Sequence, residues 1–298
     1  MNQLRSSPIV VLDSGLGGLT VVRALRAKLP AEDIVYLGDT ARLPYGSKTA
    51  TTVTRFVKEI IYFVEPMRPK HIVIACNTAT ALALPTMRAE FPGLSISGVI
   101  EPGAKAAIVA AGAKQCPIFG VIATEATIRS KAYERAIHRR RQHAQLLLCP
   151  TPLLVPIIEE GRGSNDPLVQ LAIKQYLAPL IKHRMDVLVL GCTHYPVFKG
   201  LICLTVGPRV RVIDSAEQCA DDVARRLKDR SLLRTEVAAE GAMKARQGSL
   251  RCFVTDDPKR FAVLAPRFLG CQVGTPSWVS PEEFAGARAP AVSITVPA

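Results

Sequence analysis

One pattern occurs twice in this chain and constrains its fold more than any other. His71-Ile-Val-Ile-Ala-Cys76-Asn77-Thr78 and Asp186-Val-Leu-Val-Leu-Gly-Cys192-Thr193-His194 share a polar lead-in, an apolar run, one small residue and then cysteine. A short unbroken apolar run ending in a turn is the signature of a parallel strand buried on both faces. Small polar residues after each cysteine predict a helix start. Each thiol is therefore expected at the carboxyl end of a strand, where open α/β sheets build their sites. A chain that does this twice predicts two related halves, each giving one thiol to a shared cleft.

Composition agrees with that frame. At 298 residues the chain is long for one compact domain, so two are expected. Apolar residues make up 48% and aromatics only 5%, which means an aliphatic core of the kind parallel strands form. No stretch is apolar and long enough to span a membrane. Met1 to Pro8 has no apolar signal core, which predicts a cytoplasmic location. The eight cysteines, at 76, 116, 149, 192, 203, 219, 252 and 271, include no C-x-x-C pair. They read as free thiols, with no disulfide framework and no zinc site. The formal charge of +13 raises a polyanionic partner as a rival reading, and Arg135 to Arg141 is its densest run. That run lacks interleaved aromatics, so it reads as a solvated basic surface.

Taken in order, Pro8 to Asp13 reads as a strand, Ser14 to Gly18 as a glycine turn, and Leu19 to Leu29 as a helix. The turn lacks G-x-G-x-x-G spacing and a Walker lysine, so it predicts close approach of backbone amides to a small anion rather than a nucleotide site. Asp13 reads either as a helix cap or as a cleft carboxylate. Further strands are expected at 33–39, 71–75, 94–100, 117–124, 144–149, 187–191, 209–214 and 250–255. Helices are expected at 49–67, 76–87, 127–141, 168–182, 216–227 and 258–268, with an alanine-rich one after Glu101-Pro102-Gly103. Residues 231–248 and the tail past Pro281 carry no clear pattern.

Two thiols at helix amino termini, where the backbone favours negative charge, can do three kinds of chemistry. A redox pair lacks the C-x-x-C spacing. A hydrolase dyad of Cys192 with His194 is disfavoured, because residues two apart diverge in a helix. A two-base proton transfer, one thiolate taking a proton from one face of a carbon and one thiol returning it to the other, suits a pseudo-symmetric cleft. The six other cysteines read as buried small hydrophobes.

At this point the chain resembles the bacterial glutamate racemases of the aspartate/glutamate racemase superfamily, over nearly its whole length. The resemblance rests on Leu12-Asp13-Ser14-Gly15-Leu16-Gly17-Gly18-Leu19, Gly38-Asp39-Thr40-Ala41-Arg42-Leu43-Pro44-Tyr45-Gly46, Ala75-Cys76-Asn77-Thr78-Ala79, Thr124-Glu-Ala-Thr127-Ile-Arg-Ser130, Pro156-Ile-Ile-Glu159-Glu160-Gly161 and Gly191-Cys192-Thr193-His194-Tyr195-Pro196. It implies cofactor-independent racemisation of glutamate for peptidoglycan synthesis, with no metal. By resemblance, Cys76 and Cys192 are the acid/base pair, and Asp13, Glu159 and His194 tune them. Asp13, Ser14, Pro44, Tyr45, Gly46, Asn77, Thr78, Thr124, Thr193 and His194 would bind substrate. The implied fold is α/β: two pseudo-symmetric domains with mainly parallel sheets flanked by helices, the active site in the interdomain cleft. The domains would be 1–99 plus 214–298, and 100–213. A homodimer is implied. Rival readings are an aspartate racemase of the same superfamily and a secondary role in binding DNA gyrase or nucleic acid.

Overall fold

The computed structural model describes residues 2–234 and 247–286. Among the described residues ten strands form two sheets, and every strand pair in both is parallel. β1 (Ile9–Asp13), β2 (Ile34–Gly38), β3 (His71–Ile74), β4 (Ile96–Gly98), β9 (Leu250–Val254) and β10 (Ser277–Trp278) build one sheet, in the order β10-β9-β2-β1-β3-β4. β5 (Ile118–Ala123), β6 (Gln145–Pro150), β7 (Val187–Gly191) and β8 (Arg211–Asp214) build the other, in the order β6-β5-β7-β8. The run β2-β1-β3-β4 repeats as β6-β5-β7-β8, so the expected pseudo-symmetry is present in the topology itself. In each half the strand order reverses between the first and third strands, and the carboxyl ends at that switch point form the natural crevice. Cys76 follows β3 and Cys192 follows β7, which are equivalent places.

The strands form as their sequences dictate. β1, β2, β3 and β7 are buried along their whole length. Helices cover the sheets, and one apolar cluster runs across both halves, from Ile9, Val11 and Leu19 to Leu188, Leu190 and Val223. Among the described residues, no helix is long and apolar enough to cross a membrane.

Several boundaries differ from the sequence reading, each for a local reason. Glu101-Pro102-Gly103 does not precede the alanine-rich helix but lies inside it, at Ile100–Ala110. A proline in the first turn is tolerated there because its missing N–H has no intrahelical partner anyway. The helix expected over 127–141 is two, Glu125–Arg129 and Ala132–His138, parted by Lys131 at φ +55°. The helix expected over 258–268 is likewise split into Pro258–Leu264 and Pro266–Leu269. Pro281–Gly286 is helical, so the patternless tail does not begin at Pro281. The rest of that tail, and 235–246, lie outside the described residues. Of the six cysteines read as buried, only Cys219 and Cys252 are so, while Cys116, Cys203 and Cys271 are exposed.

Candidate active site

Cys76 caps the amino terminus of the helix Asn77–Glu90, its Sγ accepting the Ala79 N–H at 3.5 Å. The Ser14 hydroxyl, from the turn after β1, also donates to it at 3.5 Å. Burial dominates its ionisation. Together with the charge of Asp13 it pushes the thiol up to about 12, against the hydrogen bonds from Ala79 and Ser14. Cys76 is thus a neutral thiol at neutral pH.

Cys192 is held differently, and here the structure corrects two expectations. No α-helix starts at Cys192: the chain makes a turn and then a 3₁₀ segment, Tyr195–Phe198. Residues two apart diverge in regular elements, and this turn is not one. His194 folds back so that its Nδ1 lies 3.8 Å from Cys192 Sγ, while its Nε2 bonds Glu159 Oε1 at 2.8 Å. Burial opposes charge on the ring. The hydrogen bonds and charges of Cys192 and Glu159 outweigh it and raise His194 to about 10. At neutral pH the ring is therefore an imidazolium, with both nitrogens donating. One wall carries a neutral thiol, and the other a sulfur facing a positive ring.

Asp13 ends β1 and is buried between these walls. Its carboxylate accepts the Gly15 N–H at 3.1 Å and the Thr193 hydroxyl at 3.5 Å. Burial raises its pKa, an effect opposed by His194 and by the backbone N–H groups of Gly18 and Gly15.

Side chains from both halves close the cleft. The hydroxyls of Thr78, Thr124 and Thr127 form a triangle with separations of 2.8, 3.0 and 3.1 Å. Gly46 packs so tightly on Thr124 that a Cβ there would lie 2.6 Å from its Cβ. The Tyr133 hydroxyl donates to Asn77 Oδ1 at 2.7 Å, and Asn77 Nδ2 is buried with no hydrogen-bond partner. The cavity they leave is small, about 20 Å³. Ser14, Pro44, Tyr45, Gly46, Cys76, Asn77, Thr78, Thr124, Glu159, Cys192, Thr193 and His194 all line it. Asp13 does not, and reaches it through Thr193. The Tyr45 hydroxyl is committed to Asp39, so that residue offers the cleft its backbone and ring rather than its oxygen.

Sequence reasoning missed Leu43, Val155 and Gly191 among the lining, and Thr127, Tyr133 and Gly17 behind it. Leu43, Gly191, Gly17 and Thr127 stand within the blocks quoted above without a role of their own, and Thr127 is a second hydroxyl three residues after the helix-capping Thr124. No Lys or Arg lines the cleft among the described residues, so amides and hydroxyls are its donors. Among the described residues no group of three or more His, Cys, Asp or Glu is placed to hold a metal.

The family model described as Asp/Glu/hydantoin racemase matches residues 19–223. A glutamate racemase of Geobacter metallireducens is 42% identical over 274 residues, covering 92% of this chain and 97% of that one. A crystal structure of a glutamate racemase isoform from Bacillus anthracis superposes with a TM-score of 0.84 at 36% identity, covering 92% of this chain and 98% of that one. The glutamate racemase of Francisella tularensis, solved in complex with D-glutamate, gives a TM-score of 0.82 at 34% identity, with 94% and 99% covered.

Proposed function

The chain belongs to the Asp/Glu/hydantoin racemase family, and from that premise we propose that it interconverts L- and D-glutamate by proton transfer between Cys76 and Cys192. The observation that carries the proposal is the unequal setting of two equivalently placed thiols, Cys76 bonded by the Ser14 hydroxyl and the Ala79 N–H and Cys192 facing the His194 ring at 3.8 Å. Starting from L-glutamate, Cys192 acts as the base, its sulfur 3.8 Å from His194 Nδ1, and removes the α-proton. The neutral Cys76 thiol then gives its proton to the opposite face of the carbanion. Cys192 ends protonated and Cys76 ends as thiolate, stabilised by the Ala79 N–H and the Ser14 hydroxyl. The reverse turnover restores the first state.

The α-proton is a very weak acid, so charge developing on the substrate needs fixed donors in a site shielded from water. Asn77, Thr78, Thr124, Thr193 and the Tyr45-Gly46 backbone serve the carboxylates in this reading. Asp13 and Ser14 serve the ammonium, and Pro44 shapes the wall. Glu159 holds the His194 ring at its far nitrogen. The mechanism calls on the chain's own thiols for every proton and on no cofactor. The D-glutamate would supply peptidoglycan synthesis, and the enzyme would work as a homodimer. Residues 1–99 with 214–298 would form one domain and 100–213 the other, a division supported by which strands share a sheet.

The test is circular dichroism of each glutamate enantiomer in deuterated water without pyridoxal phosphate. Decay of the signal from both sides, with deuterium at Cα of the product, is expected. Cys76→Ala and Cys192→Ala should each lower the rate by about 10³-fold or more. Turnover of aspartate but not glutamate would move the chain to the aspartate branch, and silence with both would end the catalytic reading.

A further inference from the structure

We infer that Tyr133 is a positioning residue whose hydroxyl fixes the Asn77 carboxamide so that its NH₂, not its carbonyl, faces the cleft and meets a substrate carboxylate. The inference deepens the proposed function and rests on it, since it takes the occupant to be an anionic amino acid.

Asn77 stands next to Cys76 on one wall, at the first position of its helix. It is 2% exposed and lines the cleft. A carboxamide is nearly symmetric in shape, and packing alone does not decide which end faces inward. The decision falls to hydrogen bonding. Asn77 Oδ1 is taken by the Tyr133 hydroxyl at 2.7 Å. Nδ2 is left buried with no partner, and the unmet cost of a buried donor is of the size that an incoming anion relieves.

Tyr133 itself comes from the other half, in the helix Ala132–His138, and its ring cannot swing away. A Cβ on Gly191, the residue before Cys192, would lie 3.1 Å from its Cε2, and one on Gly103 would lie 3.7 Å from its hydroxyl. The two glycines thus leave a slot that the ring fills, 3% exposed, within an apolar cluster with Ile100, Ala104 and Val121. Burial, with the nearby Cys192, raises the phenol further above its ordinary range. The hydroxyl therefore stays a proton donor wherever the enzyme works. A rigid donor rooted beside one thiol thus sets the donor orientation beside the other.

The test is a double-mutant cycle on racemisation of L- and D-glutamate, with Tyr133→Phe, Asn77→Ala and the pair. Tyr133→Phe keeps the ring and its slot. Freed to turn, Asn77 should present its carbonyl to the carboxylate for much of the time, raising KM about tenfold for both enantiomers with kcat within about threefold. In the Asn77→Ala background, removing the Tyr133 hydroxyl should change KM by less than about twofold. A merely structural tyrosine would lower active enzyme, and so kcat, without that split and without that coupling. A Tyr133→Phe KM equal to wild type, or an effect undiminished in the Asn77→Ala background, would overturn the positioning role while wild-type turnover kept the proposed function standing. A wild type silent with both enantiomers would overturn both.

Discussion

Gly17 holds its place through lack of space: a Cβ built on it would lie 2.2 Å from Thr193 Oγ1 and 2.5 Å from His194 Nδ1. Its turn reads in the sequence as a backbone cradle for an anion. In the structure it is also the space that Thr193 and His194, the residues after Cys192, occupy. Gly17→Ala should displace His194 by a good part of an ångström. Misplacement on that scale costs on the order of 10²-fold in kcat, with the far-ultraviolet circular dichroism unchanged. A variant with wild-type kcat would show that the loop relaxes freely. His194 supports a second prediction at this scale. With its pKa raised to about 10, the ring is positive throughout the neutral range and loses its charge as pH rises through about 10. The rate from L-glutamate should therefore be level with respect to this group from pH 7 to about 9 and fall on the alkaline side of about 10. His194→Asn should remove that alkaline limb and lower kcat at every pH. An unchanged limb in the variant would assign it to another group.

Elements are joined here by buried polar groups that periodicity does not mark. Lys70, just before β3, is 1% exposed. Its Nζ pairs with Glu32 and donates to the carbonyls of Arg5 at 2.8 Å and Leu232 at 3.1 Å. It thereby ties the first helix, the entry to β2 and the end of the long helix Ser215–Asp229 to one point. Lys70→Met leaves the buried Glu32 without its counter-ion, only the Arg234 N–H still bonding it at 2.8 Å, which should cost about 3–5 kcal/mol of unfolding free energy in urea. Lys70→Met with Glu32→Gln should recover part of it. At the start of β3, His71 is bonded on both nitrogens at 2.8 Å, to Ser95 and Ser97, stitching β3 to the approach of β4. Burial, with Arg226, holds its pKa down to about 3. The unfolded chain takes up this proton below about 6.5 and the folded chain does not until about 3. This stability is therefore present above 6.5 and is lost as pH falls toward 3, by about 1.4 kcal/mol per unit. Urea titrations at pH 7, 5 and 4 should show that slope, reduced in His71→Asn. The same contrast explains what was legible. β1, β3 and β7 announced themselves because a strand buried on both faces must be an apolar run, and the cysteines were legible because they end such runs. The break at Lys131 and the two-residue β10 depend on single backbone angles and on an edge supplied by β9. The Cys192–His194 pairing was hidden because its geometry belongs to a turn, whose side-chain directions have no period.

At the scale of the whole molecule, the question is where an excess of 13 positive charges acts. Part of it is tied up within the chain. Arg139 and Arg140, the core of the densest basic run, are both paired with Glu101, and Arg141 donates to the Gly112 carbonyl at 2.7 Å. Arg225 and Arg226 share Asp222, and Arg162 is held by Glu160 and Asp166. A cation so engaged has less to offer a phosphate, and what remains is a net positive field. Such a field attracts a small anion without reading it, and salt screens it over about 8–10 Å. Because the cleft holds its ligand with amides and hydroxyls, salt should act on approach and leave the chemical step alone. Between low and 0.5 M ionic strength kcat/KM for glutamate should fall by roughly threefold, while kcat stays constant. Duplex DNA should be retained weakly at low salt and released by about 0.15 M, as expected of non-specific contacts to phosphates. Nanomolar DNA binding that persists at 0.15 M would show a built nucleic-acid surface. That outcome would restore the polyanion reading of the charge as a second role beside the cleft.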